Sequence, residues 1–147
     1  MNALALEWMT TTVTLGEKVD VETLEFVVDE QRLVDWVRWT AGAEFVGYCS
    51  GRVSPFGRCF PPEHVKQTYR QLLAEETSDL PHGRVPLYVC PCGDPFCGGL
   101  MVSVSRIRDG FEWSNWGSID TDFPDMPTLR FARQQYETAL SVARVFF

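Results

Sequence analysis

The sequence predicts an α+β fold, an antiparallel β-sheet meander centred on residues 87–119 and packed against three α-helices in a single pair of layers. Three observations predict it. The first is a series of short runs rich in β-branched and aromatic residues between residues 87 and 119, with an Asp-Gly pair at 109–110 between two of them. The second is helical spacing of apolar residues in three other segments. The third is composition: 147 residues, 45% hydrophobic and 22% charged, suit one ordinary domain spanning 1–147.

Taken in order, residues 1–22 are assigned no element. Thr23–Asp29 (TLEFVVD) reads as a strand that turns at Asp29, Glu30 and Gln31. Leu33, Trp36, Val37 and Thr40 follow helical spacing, which predicts a helix over 32–41 with Gly42 as its stop. Residues 44–60 are crowded with Gly, Ser and Pro and read as surface loop. Pro61 and Pro62 can open a helix without losing a needed N–H, and Val65, Tyr69, Leu72 and Leu73 give its apolar stripe, so a helix is expected over 62–76. Strands are expected at Leu87–Val89, Leu100–Arg106 and Phe111–Ile119. The Pro- and Asp-rich stretch 118–128 reads as a second surface loop. Phe131, Gln135, Tyr136, Ala139, Leu140 and Ala143 then share one face of an amphipathic helix over 130–146, expected to lie across the sheet.

Charge and cysteine content narrow the function classes. Thirteen Lys and Arg against 20 Asp and Glu leave a net charge of -7, the wrong sign for a surface that neutralises phosphates, so no nucleic-acid partner is expected. No apolar run approaches the roughly 18 residues of a membrane span, and the N-terminus lacks a basic region before its short apolar run. Five cysteines without a secretion signal fit a reducing, cytoplasmic compartment.

Three of those cysteines, Cys90, Cys92 and Cys97, fall in the connection between two adjacent strands, in LYVCPCGDPFCGGLMV. A tight turn can aim several thiolates at one point, as zinc requires. Two readings stand side by side: a Zn2+ site whose fourth ligand would come from Cys49, Cys59, His64, His82 or Asp94, or no cofactor and a set of reduced packing thiols. A thioredoxin-like redox pair is disfavoured, because that chemistry needs Cys-x-x-Cys at a helix N-terminus and the pair here is Cys-Pro-Cys. No nucleophile elbow, phosphate loop or metalloprotease helix occurs, so no catalytic residue is assigned. The acidic run Asp120, Asp122 and Asp125 offers hard oxygen ligands without the full calcium-loop pattern.

The stretch LYVCPCGDPFCGGLMVSV, followed by GFEWSNWG and LRFARQQYETAL, resembles a family of small uncharacterised bacterial proteins frequent in actinomycetes. Its members share the Cys-Pro, Cys-Gly-Asp and Cys-Gly elements and a C-terminal Phe-x-x-x-x-Tyr-x-x-Ala helix. The resemblance is close over residues 87–140. One departure is plain: a single residue separates the first two cysteines here, where the family has two. Members sometimes carry the label oxidoreductase, but this chain has neither a nucleotide fingerprint nor a redox pair to support it.

Partner binding is the remaining class. Trp39 falls outside the apolar stripe of its helix and would anchor an interface if exposed. Trp113 and Trp116 are an odd number of residues apart, so on a regular strand one of them points outward. With Asp120, Asp122 and Asp125 these form the candidate partner-binding set. A small acidic domain with no evident active site fits an immunity protein that neutralises a cognate basic toxin, a nuclease for example. The alternative is a zinc-stabilised module, or a metal- or thiol-dependent enzyme, with its site at Cys90, Cys92 and Cys97.

Overall fold

The computed structural model describes residues 1–147 and has two antiparallel sheets rather than one. The first contains β1 (Leu4–Leu15), β2 (Glu17–Val28) and β3 (Gln31–Arg32), in that order. β1 and β2 pair without interruption from Leu4↔Val28 to Leu15↔Glu17 around Gly16. Residues 1–22, assigned no element from sequence, are therefore mostly strand. The turn from β2 to β3 uses Asp29 (φ 50°) and Glu30 (φ 69°), the two positive φ values of a type I′ hairpin.

β3 leads into α1 (Leu33–Ala41), which buries Leu33, Trp36 and Val37 as its spacing requires. The segment after it departs from a simple surface loop. A 3-10 turn over Ala43–Tyr48 is followed by Val53–Gly57, every residue of which is buried. The Leu24 N–H donates to the Phe56 carbonyl at 2.8 Å, and Val53 and Val89 exchange two backbone bonds at 2.8 and 2.9 Å. These pairings satisfy the backbone polar groups that burial would otherwise leave unmet.

α2 (Pro62–Leu72) ends four residues before the expected Glu76. Ala74 adopts φ 55°, and the Glu75 N–H reaches back to the Arg70 carbonyl at 2.9 Å, closing the helix in a Schellman-type cap.

The second sheet runs in the order β4 (Val85–Pro86), β5 (Met101–Ile107), β6 (Gly110–Gly117), β7 (Leu129–Ala132). The expected strand Leu87–Val89 is displaced. β4 pairs only through Val85 and Pro86, after which the N–H groups of Leu87 and Tyr88 both address the Leu100 carbonyl and Val89 switches partner to Val53. Residues 130–132, expected within the last helix, instead belong to β7 and pair with β6. α3 therefore spans only Arg133–Ser141, with a 3-10 turn over Val142–Phe146. α3 packs on β1, β6 and β7.

A bulge in β6 decides where its tryptophans go. Ser114 faces Ser103 but Gly117 faces Met101, so Asn115 and Trp116 together oppose Val102. The extra residue, Asn115 at φ 53°, cancels the odd spacing. Trp113 and Trp116 are both buried, so the outward-pointing indole expected of a regular strand is not realised in this bulged one, and their assignment to a partner-binding set is corrected. Arg84, 1% exposed, holds this bulge. Its guanidinium donates to the carbonyls of Asn115, Trp116 and Ser118, to Asn115 Oδ1 and, at 2.7 Å, to Asp122 Oδ1.

One hydrophobic cluster of 35 residues joins the two sheets. Trp113 contacts Phe26 of β2 edge-to-face at 5.9 Å, and Trp116 lies 5.2 Å from Trp36 of α1. Phe123 and Met126, in the stretch read as surface loop, are also buried here.

Candidate metal centre

The three-cysteine connection is built from short-range turns. The Gly93 N–H donates to the Cys90 carbonyl at 2.9 Å, and Asp94 Oδ1 accepts the Phe96 N–H at 2.9 Å, opening a single 3-10 turn over Pro95–Cys97. Gly98 and Gly99 then take φ values of 85° and 139°. A Cβ on Gly99 would collide with the Tyr88 carbonyl oxygen, so only glycine lets the chain return close to its outgoing limb. Arg52 pins the loop from outside. It donates to the carbonyls of Cys97 and Gly98 at 3.0 and 3.1 Å, and to those of Gly47 and Ser50 at 3.0 and 3.2 Å. Sequence reading missed Arg52, because nothing local marks a contact partner 45 residues away.

The result is convergence of the thiols. The sulfur atoms of Cys90, Cys92 and Cys97 all lie within 4.8 Å of one another, with Cys92 and Cys97 at 3.5 Å. Tetrahedral zinc–thiolate bonds of about 2.3 Å place ligand sulfurs about 3.8 Å apart, so the triad fits such an ion with small side-chain adjustments. Cys90 is half-buried, whereas Cys92 and Cys97 are exposed.

The thiols are not equivalent. The Asp94 backbone N–H, helped by the Cys90 and Cys97 thiols, lowers the pKa of Cys92. Cys97 is pushed up to about 11, first through its hydrogen bond with Cys92 and then through Cys90. Of this hydrogen-bonded pair the thiolate thus forms first on Cys92, and Cys97 keeps its proton until a cation displaces it.

None of the five residues considered for a fourth ligand belongs to the group. Cys49 is buried, its thiol pushed up to about 12 by desolvation, and Cys59 lies outside the triad. His82 sits 3.8 Å from Asp122, and the Asp94 side chain caps Phe96. The chain therefore brings three thiols, and no fourth side-chain ligand, within metal-binding distance of one another.

The other predicted site residues do not assemble around this centre or around one another. Trp39 is 81% exposed, in a shallow groove with Glu7, Glu30, Arg32, Asp35 and Arg38. Trp113 and Trp116 are core residues. Their indole N–H groups donate to Tyr136 Oη at 3.0 Å and to the Pro127 carbonyl at 2.9 Å, so neither is available to a partner. Asp120 and Asp125 are exposed, and Asp122 is occupied by Arg84, whose hydrogen bond lowers its pKa. These carboxylates form no cation-binding group; the cysteine triad is the one cluster with metal-ligand geometry.

No helix is long and apolar enough to cross a membrane. Comparison with protein-family models, with curated proteins and with solved structures returns no match. The functional reading therefore rests on the geometry of the site.

Proposed function

We propose that this protein is a metal-binding module that holds one Zn2+ through the thiolates of Cys90, Cys92 and Cys97, with an exchangeable ligand in the fourth position. The convergence of three thiols within 4.8 Å carries this reading. Soft thiolate donors select zinc or copper(I) over magnesium or calcium. Exposure of two of the three ligands distinguishes the site from a closed four-ligand structural zinc. Three anionic sulfurs also donate enough charge to weaken the metal as a Lewis acid. That favours metal holding or handover over hydrolysis.

Native mass spectrometry on protein purified without chelator tests this reading. Wild type and Cys59→Ser are expected to carry one zinc per chain, and Cys97→Ser none. In metal-free protein, alkylation should modify Cys92 first, and added zinc should protect all three cysteines together. A folded wild type that takes up no zinc would sink the proposal.

A second reading, an immunity protein that neutralises a cognate basic toxin, is supported by one specific feature. Trp39 is an exposed indole on a protein of net charge -7. If it anchors such a partner, Trp39→Ala should weaken one-to-one binding by about 2 kcal/mol or more with no change in fold. Titration against the basic product of an adjacent gene decides it: absence of binding in low salt removes the reading.

A further inference from the structure

Four polar residues of α2, His64, Gln67, Thr68 and Gln71, follow the spacing i, i+3, i+4, i+7 and so share one helix face. A polar helix face ordinarily looks into water. This one, exposed at His64 and Gln67, also lines a cleft of about 290 Å3 together with Asp79, Leu80 and Gly93 and Pro95 of the cysteine loop. The apolar surface within it includes the buried side chains of Phe60 and Val89.

Gln71 gives the cleft its chemistry. It is only 8% exposed and lines both this cleft and a smaller pocket beside Glu75 and Ser78, yet its side-chain amide makes no hydrogen bond within the protein. Its amide atoms still reach solvent, since the only fully enclosed and unpartnered side-chain polar atom in the molecule is Glu76 Oε2. A carboxamide so nearly buried and unpaired gains most from a ligand that supplies both a donor and an acceptor. Thr68 is already committed, its hydroxyl donating to the His64 carbonyl at 3.2 Å. Gln67 adds a second carboxamide on the same face.

The lining also excludes ligands. It contains no Lys or Arg, and Asp79 brings a negative charge, so a phosphate or carboxylate would be repelled. The volume lies at the small end of ligand sites, enough for a single ring and too little for a nucleotide. We infer that the cleft between α2 and the cysteine loop binds a small, uncharged, planar molecule bearing an amide or lactam group, read by Gln71 and Gln67 against the Phe60 surface. This site does not depend on metal at the neighbouring thiols: metal content tests the one, ligand titration the other.

The test is a titration of the 15N-labelled protein with nicotinamide, uracil and nicotinate. At least one of the two neutral amide probes is expected to shift the Gln71 and Gln67 side-chain amide resonances saturably, with millimolar affinity or tighter, as suits ligands of this size. Nicotinate should bind at least about tenfold more weakly than nicotinamide, and Gln71→Leu should cost about tenfold in affinity, the equivalent of one hydrogen bond. The spectrum of Gln71→Leu reports whether it is folded. Gln67→Ala, at an exposed position, is the second variant and should also weaken binding. No saturable shift with either neutral probe, equal binding of nicotinate and nicotinamide, or full affinity in both variants would overturn the inference.

Discussion

Glu25 shows how far one residue's environment can depart from its sequence. It lies in a β-strand whose last six residues are all buried, and it is itself only 4% exposed. Tyr88 Oη donates to its Oε1 at 2.8 Å, and the Phe26 N–H adds a bond at 3.0 Å. Desolvation outweighs these bonds and raises its pKa above 4.5. A carboxyl whose folded pKa is raised binds its proton more tightly in the folded state. Its contribution is therefore fully present below the unfolded pKa and is lost as pH rises through the folded one. Thermal melts across this range should show Glu25→Gln losing less stability with rising pH than wild type. Parallel pH curves for the two proteins would contradict the assignment. The neighbouring Cys49 thiol, raised by the same burial, remains protonated throughout this range and is a packing group.

At the scale of elements, caps and bulges rather than propensity set the boundaries. α2 stops because Ala74 enters the left-handed region, at a cost of about 1 kcal/mol for a residue with a Cβ. Ala74→Gly should relieve that strain and raise stability by about 0.5–1 kcal/mol in denaturant unfolding, although glycine weakens a helix interior. A loss of stability would show that Ala74 lies within the helix proper. The bulge at Asn115 is the corresponding device in β6. One inserted residue, held by the Arg84 guanidinium, turns an alternating strand into one that buries two tryptophans on one side. The cysteine loop follows the same logic on a smaller scale. A capped 3-10 turn and two left-handed glycines bring residues seven positions apart within metal-binding distance.

Across the whole molecule, the sheets are joined at their centre and at an edge. At the edge, the Asn2 N–H donates to the Arg130 carbonyl at 2.8 Å and the Leu4 N–H to Gln135 Oε1 at 3.0 Å. At the centre, Trp113 touches Phe26 in the first sheet and Phe131 and Tyr136 around the second. Trp113→Ala should therefore cost about 3–5 kcal/mol through the cavity and the lost indole hydrogen bond. It should lower the stability of both sheets together, so hydrogen exchange in β2 and β5 should accelerate in parallel. Faster exchange confined to the second sheet would show that the two fold as separate units.

The sequence by itself determined the α+β class, α1 and its buried stripe, the start of α2, the β5–β6 hairpin and the grouping of three cysteines in one connection. These are readable because periodicity, proline at helix starts and turn residues act over a few positions. Of the β1–β2 hairpin only the end of β2, from Thr23, was legible, because Thr-rich strands with one buried face give a weak apolar signal. Only tertiary structure decided that Arg130–Ala132 would be strand rather than the first turn of α3, since pairing with β6 outweighs a helical pattern that continues into it. The same holds for the burial of Trp113 and Trp116, which depends on one bulged residue and a buried arginine. The cysteine spacing made a metal site conceivable, but convergence of the thiols follows from the Arg52 contacts and two glycines, which no local pattern records. Local forces chose the elements; long-range packing chose which faces met and which side chains remained free to bind.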